Sequence, residues 1–405
     1  MSGGAAMDSL EALVEKAVDS RRVELHALSD YLWRNPELAL KEFKAHERLT
    51  EFLENQGFRV QRHWLLDTAF RAEFDNTRGA EGPTVAFMCE FDALPEIGHG
   101  CGHNLIAECS VAAGIAVMEV LKARPDIPAK VLVLGTPAEE NCGGKEMLLQ
   151  KGAFRDVDVA LMAHPGRRDA LKMGFTASQH LSVKFRGRTA HAAASPWEGL
   201  NALDAAVASY MNISVLRQQM KPAWRVHGVM LQAGKYPNLI PEESELKYHI
   251  RAPSTEELDV ILSKVEACFR GAAEATGCSV DIIRGMKYKH MLHNDTIVSV
   301  YQKHGEALGI TFEGEDPRAV IGTGASTDAA NVSHAVPTAH PVYALRATAR
   351  NHTREFSRAA GDRDAQEPTL KVARALALTA LDFLKDPELL RKAKEEFAFN
   401  TTPSS

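Results

Sequence analysis

The chain has 405 residues, enough for two domains, and its 45% hydrophobic and 25% charged content is that of a globular protein with a sizeable core. A formal net charge of -6 without a long basic run argues against nucleic acid or an acidic membrane surface as the main partner. The first residues lack a basic stretch followed by an apolar core, so no signal peptide is expected, and no apolar run is read as a membrane span of about 20 residues. The six cysteines are too sparse for a disulfide scaffold and are expected as reduced thiols, in the cytoplasm or another reducing compartment.

In chain order, Leu10, Leu13, Val14, Ala17 and Val18 recur at helical steps, and Leu25, Leu28, Leu32 and Trp33 form a second stripe. Lys44 to Gln56 reads as a further helix ended by Gly57. FRVQRHW alternates as a strand does. TVAFMCEFDAL is a buried strand breaking into acidic residues, and GHGCGHNLIAECSVAAGIAVMEVLKAR turns from Gly-rich sequence into a small-residue helix. KVLVLGTPAEE and DVALMAHP are two more buried strands, ending in two acids and in a histidine. Three strands that each deliver polar residues at their carboxyl ends predict an open α/β sheet with its site at that edge.

The pattern changes near residue 178. HLSVKFRG, a long helix EGLNALDAAVASYMNISVLRQQM, WRVHGVMLQAG, ESELKYHIRAP, a Ser/Thr-capped helix STEELDVILSKVEACFRGAAEATG, and CSVDIIRG give the order strand-helix-strand-strand-helix-strand. That order is the ferredoxin-like split unit. The expected organisation is an open α/β catalytic domain of residues 1–177 plus 291–405. A ferredoxin-like α+β lid and dimerisation domain, residues 178–290, is inserted in it.

The densest chemistry is His99-Gly100-Cys101-Gly102-His103, where a thiolate and an imidazole two residues apart enter a helix from a Gly-rich turn. Both side chains are good ligands for zinc, and imidazole also suits other divalent transition metals. At the end of a strand Glu139 and Glu140 can diverge, one towards a metal and one towards water, which needs a general base. His164, His191 and His352 are each more ordinary alone, as core or surface histidines. Together with Cys101, His103 and the two glutamates they are enough for a two-metal site.

These motifs resemble peptidase family M20, in its amidohydrolase branch, which is marked by Asp-Ala-Leu-Pro, His-x-Cys-Gly-His, Pro-x-Glu-Glu, Ala-His and a late Asn-His. Here they are Asp92 to Pro95, His99 to His103, Pro137 to Glu140, Ala163-His164 and Asn351-His352, in order along nearly the whole chain. The resemblance implies two divalent metal ions, zinc or manganese, held by Cys101, His103, Glu140, His164 and His352. It implies that Glu139 is the general base, and that His191 steadies the oxyanion, often in a neighbouring subunit's site. Asn238 and Arg251 would bind the substrate carbonyl or carboxylate. For Arg251 a strand-end surface charge is the plainer alternative.

The phrases GHGCGHNLIAE, SPWEGLNALDAA and LRQQMKPAWRVHG are similar to a dipeptidase group of that family. That similarity implies hydrolysis of dipeptides with a basic C-terminal residue, including β-alanyl-lysine types. The exposed edge strand and long helix of the inserted domain are the natural dimer surface, so a homodimer is expected. An N-acyl or aryl-acyl amino acid amidohydrolase shares the same motifs. A silent binding or scaffold protein is the third reading, although no ligand and no base is lost. Residues 322–333, GTGASTDAANVS, are expected to form substrate-pocket backbone, with Asp328 facing a basic substrate side chain. Asn104 stands where the branch usually has Asp, which removes a negative charge expected near the metals.

Overall fold

The computed structural model describes residues 9–312, 324–345 and 348–402, so residues 322–323 of the expected pocket loop lie outside it. The described residues contain twelve strands in chain order: β1 (Arg59–Arg62), β2 (Phe70–Asp75), β3 (Thr84–Cys89), β4 (Lys130–Gly135), β5 (Val159–Leu161), β6 (His164–Gly166), β7 (Ala177–Arg186), β8 (Arg225–Gln232), β9 (Glu243–Ala252), β10 (Ser279–Tyr288), β11 (Thr338–Ala339) and β12 (Val342–Ala344). They divide between two compact units.

The first unit takes in residues up to Met173 and most of the chain after Leu292. Its main sheet runs β1-β2-β4-β3-β5-β11. The last four strands are parallel, and the β1–β2 hairpin adds to β4 antiparallel. Every residue of β3 and all but the first of β4 are buried, which is why both read as unbroken apolar runs rather than alternating ones. β6 and β12 form a separate parallel pair.

Helix His103–Ala123 follows β3 and packs on the sheet. Its stretch of mean hydropathy 1.6 is long enough to cross a membrane, contrary to the reading of the sequence, yet 94% of it is buried inside the protein. It is therefore the core helix of the sheet. Its small residues serve close approach: a Cβ on Gly114 would sit 2.4 Å from Val133 Cγ2. Helices Leu10–Asp19 and Arg22–Arg34 pack against it, as does Gln366–Lys385.

The second unit is Gly174–Met291, with residues 324–326. Strands β7 to β10 form an antiparallel sheet in the order β10-β7-β9-β8. Helices Ala202–Leu216 and Thr255–Thr276 cover one face. This is the ferredoxin-like arrangement. Ser254 caps the second helix by accepting from Glu257 N at 3.2 Å. Residues 324–326 were assigned by sequence to the first unit but join the second. Thr176 N donates to Ala325 O at 2.8 Å, and the Ser178 and Ser326 hydroxyls meet at 3.0 Å.

Candidate metal centre

The carboxyl ends of β3 and β4 and the start of β6 deliver the first unit's polar residues to one place. After β3 the chain passes Glu90 and Asp92, then makes the turn through Cys101. Gly102 has φ 82°, and a Cβ there would meet Pro165 Cγ at 2.6 Å, so only glycine lets Cys101 and His103 flank the turn as they do. His103 is the first residue of its helix. Its Nδ1 lies 3.1 Å from Asp92 Oδ1, which orients the ring and leaves Nε2 facing Glu90 Oε2 at 3.4 Å and Glu140 Oε1 at 3.8 Å.

After β4 the backbone turns sharply at Ala138, with φ 63°, and Glu139 and Glu140 open a short helix. Two buried acids fix this turn. Glu42 accepts from Ala138 N at 3.0 Å, and Asp92 Oδ2 accepts from Glu140 N at 3.0 Å. Cys101 Sγ lies 3.4 Å from His164 Nε2, and His352 Nε2 lies 3.5 Å from Glu140 Oε2. His352 has φ 66°, an uncommon conformation for a non-glycine residue. Its segment is held by its own N–H to Gly100 O at 2.8 Å, and by Asn351 Nδ2 to Cys101 O at 3.3 Å and Pro165 O at 3.1 Å. Asn351 thus ties the last predicted ligand to the turns that carry the others.

The donor set fits a pair of metal ions. Ligand atoms of Cys101, His103 and His164 lie within 4.8 Å of one another, as do those of Cys101, Glu140 and His352, and of His103, Glu139 and Glu140. His103 Nε2, Glu140 Oε1 and Glu90 Oε2 are buried without a hydrogen-bond partner. Buried polar atoms are rarely left so, and here they converge on one point. Burial pushes the Cys101 thiol up, pushes Glu140 up to about 7, and pulls His164 down to about 4. Burial, with Glu90, Glu140 and Asp328 nearby, holds Glu139 well above the carboxylate range. Burial opposes the charge on His103, but Cys101, Glu90 and Asp92 outweigh it and raise that imidazole. Such a cluster of buried thiol, imidazole and carboxyl groups suits divalent ions, which favour the deprotonated ligands.

His99, to which the sequence assigned no ligand role, lies outside the cluster: its Nε2 lies 3.0 Å from Leu32 O in the core. Other expectations are corrected. Asp328 does not face a pocket. It is fully buried, its Oδ1 2.7 Å from Lys145 Nζ and its Oδ2 accepting from Lys145 N at 2.8 Å. Lys145 also reaches Glu90 Oε1 at 2.6 Å, so Asp328 is half of an internal charge balance. Asn104, too, turns away from the centre. Its amide donates to Ser29 Oγ at 3.0 Å and Ala360 O at 2.9 Å. Sequence reasoning assigned no role to Glu90, Asp92 or Lys145. Asp92 carried a signal through the Asp-Ala-Leu-Pro motif, whereas nothing local distinguishes Lys145 from a surface lysine.

His191, Asn238 and Arg251 belong to the second unit. The first two are neighbours: Ala192 N donates to Asn238 O at 3.1 Å, and His191 bridges to Leu239. Arg251 lies apart from them at the end of β9, where its Nη1 donates to Gly324 O at 2.8 Å and Ser326 Oγ at 2.9 Å.

A parallel sheet that gathers Cys, His and Glu at its carboxyl edge, with a second glutamate beside them, defines a metal-dependent hydrolase. The model of the family described as Peptidase family M20/M25/M40 matches residues 69–366, and the chain belongs to that family. It is 48% identical over 408 residues to the Xaa-Arg dipeptidase of Mus musculus, covering 98% of this chain and 94% of that protein. To the Xaa-Arg dipeptidase of Homo sapiens it is 46% identical over 410 residues, with the same coverage of 98% and 94%. Among solved structures, a dinuclear metal-binding peptidase of the M20 family from Bacillus subtilis matches with a TM-score of 0.67 at 18% identity, covering 90% of this chain and 99% of that one. At that identity the likeness concerns the fold alone.

Proposed function

We propose that this chain hydrolyses dipeptides with a basic C-terminal residue, arginine or lysine, at a two-metal centre. The observation that carries the hydrolytic half is the convergence of Cys101, His103, Glu140, His164 and His352 with Glu139 beside them. The substrate half rests on the likeness to Xaa-Arg dipeptidases over 98% of the chain.

Cys101, His103, Glu140, His164 and His352 would hold the two ions, zinc or manganese, which when bound polarise the scissile carbonyl and make water more acidic. Glu139 then takes a proton from the attacking water and delivers it to the leaving amine, a contribution of about 10²–10⁴ in rate. His191 donates to the developing oxyanion, worth roughly 3 kcal/mol. Asn238 and Arg251 bind the substrate carbonyl or carboxylate.

We place the active form as a homodimer joined through the inserted unit. Its edge strand β8 is unpaired on one side and exposes Val229, Met230 and Leu231, while helix Ala202–Leu216 exposes Val207, Tyr210, Met211 and Val215. Such an edge and apolar patch favour pairing with a second copy. The six free cysteines are consistent with a reducing compartment, the cytoplasm.

The test is hydrolysis, followed by mass spectrometry, of alanyl-arginine, β-alanyl-lysine, N-acetyl-leucine and hippurate, with Mn²⁺ or Zn²⁺ and with a chelator. Metal-dependent cleavage confined to the two basic dipeptides is expected, and Glu139→Gln lowers kcat about 10²–10⁴-fold while metal content stays unchanged. Cleavage of the acyl amino acids alone overturns the substrate assignment.

A further inference from the structure

Glu42 stands at the N-terminal end of helix Phe43–Gln56, yet its side chain makes no cap there. That first turn is capped by Glu37 instead, whose Oε2 accepts from Ala45 N at 2.9 Å. Glu42 is fully buried, and its carboxylate is shared among three chain segments. Oε1 accepts from Leu40 N at 3.0 Å and from Ala138 N at 3.0 Å, and Oε2 accepts from the Thr68 hydroxyl at 2.8 Å. A buried carboxylate is costly, and this one is satisfied by neutral donors alone.

The two amides that share Oε1 belong to two strained turns. Leu40 has φ 61° and Ala138 φ 63°, a left-handed conformation uncommon in residues with a Cβ. Such strain persists only where the surroundings over-determine it, and it gathers at functional sites. At Ala138 the surroundings are Glu42 on one side and Gly144 on the other. Gly144 N donates to Ala138 O at 3.2 Å, and a Cβ on Gly144 would sit 1.8 Å from Pro137 O.

The next two residues of the chain are Glu139 and Glu140. The loop that ends in Glu42 also reaches the other acid-bearing strand end, since Ala93 N, one residue beyond Asp92, donates to Glu37 O at 2.8 Å. Thr68, the third partner, is seated in turn by His46, whose Nδ1 lies 3.0 Å from the Thr68 carbonyl.

We propose that Glu42 is a positioning residue of the metal centre. It holds Ala138 in the left-handed conformation and so sets the direction in which Glu139 and Glu140 leave the turn. It acts through the backbone and touches neither ion nor substrate. The proposal rests on the roles given above to Glu139 as base and Glu140 as ligand. Reach and acceptor geometry, rather than charge, are what the task requires. An amide oxygen in the same place serves Leu40 and Ala138 equally, with the Thr68 hydroxyl turned to accept from the amide nitrogen. A carboxylate one methylene shorter withdraws from both turns.

The experiment compares Glu42→Gln, Glu42→Asp, and Glu42→Asp combined with Ala138→Gly, each as the full-length chain. Metal affinity is read by competition with a chromophoric chelator. The values of kcat and KM are measured on whichever substrate of the panel above is cleaved fastest. Glu42→Gln stays within about threefold of the unsubstituted chain in affinity and in kcat. Glu42→Asp weakens metal affinity and lowers kcat, each by about 10–100-fold, while KM changes by less than about threefold. Glycine takes the left-handed conformation freely, so adding Ala138→Gly recovers at least about fivefold of both losses. A general loosening of the fold would not be relieved by a more flexible residue. Urea unfolding establishes that each variant is folded. The proposal is overturned if Glu42→Gln loses as much as Glu42→Asp, if Glu42→Asp keeps its metal affinity within about threefold, or if Ala138→Gly recovers nothing. Chelator competition needs no substrate, so absence of turnover on the whole panel sinks the function proposed above and leaves this test standing.

Discussion

Asn104→Asp separates two views of the residue beside His103. If position 104 tuned the metals through charge, an aspartate would strengthen metal binding. The structure assigns the side chain another task. Its amide joins helix Arg22–Arg34, through Ser29 Oγ at 3.0 Å, to the end of helix Arg354–Ala360, through Ala360 O at 2.9 Å. Each neutral hydrogen bond contributes about 1 kcal/mol net, and a buried acceptor set against another acceptor costs about 1–3 kcal/mol. A protonated carboxyl can restore at most one of the two bonds. The net loss is therefore about 2–4 kcal/mol, at a site that is fully buried. The assay is urea unfolding of the metal-loaded protein, with metal affinity measured in parallel by competition with a chromophoric chelator. The transition midpoint falls at unchanged slope, and affinity in the remaining folded protein shifts by less than about threefold. An unchanged midpoint together with a tenfold or greater gain in metal affinity refutes the reasoning.

Further outcomes follow from the buried charges. Glu108 lies wholly inside the core, with Gln366 Nε2 donating to it at 3.0 Å, and burial lifts its carboxyl from 4.5 to about 8. A folded value above the unfolded one means that this group's stabilising share is complete below about 4.5 and is lost as pH rises to about 8. Glu108→Gln therefore raises the unfolding midpoint most at the alkaline end and flattens the pH profile between those limits, as thermal unfolding across pH will register. Lys145→Met strands Glu90 and Asp328 as buried carboxylates and costs about 3–5 kcal/mol in urea unfolding. Asp328→Asn likewise lowers stability, whereas a substrate role for Asp328 would instead change the preference for arginine and lysine without that loss.

Much of this could be read from the residues, because local pattern and local chemistry agreed. Buried parallel strands read as apolar runs, and the small-residue helix after Gly102 reads as one packed tightly on a sheet. Motifs that place Cys101 and His103 on one turn, or two glutamates after a strand, are visible in a short window. The helix His103–Ala123 was the exception in kind: composition permits a membrane span, and only its neighbours show that sheet and helices bury it.

What the sequence by itself determined is the central buried strands and main helices, the ferredoxin-like order of the inserted unit and the residue types able to bind metal. Those depend on periodicity and side-chain chemistry, which each residue carries with it. The tertiary structure decided which atoms meet. It set Asp92 behind His103 and turned His99 to Leu32. It spent Asp328 on Lys145 and pointed Asn104 at Ala360. Strand register likewise aligned His180, His249 and His227, which are scattered along the chain. Such pairings join residues up to 256 positions apart, as Asn104 and Ala360 are, and no local signal encodes them. They follow from the burial of polar groups, which must find partners wherever the packed chain supplies them.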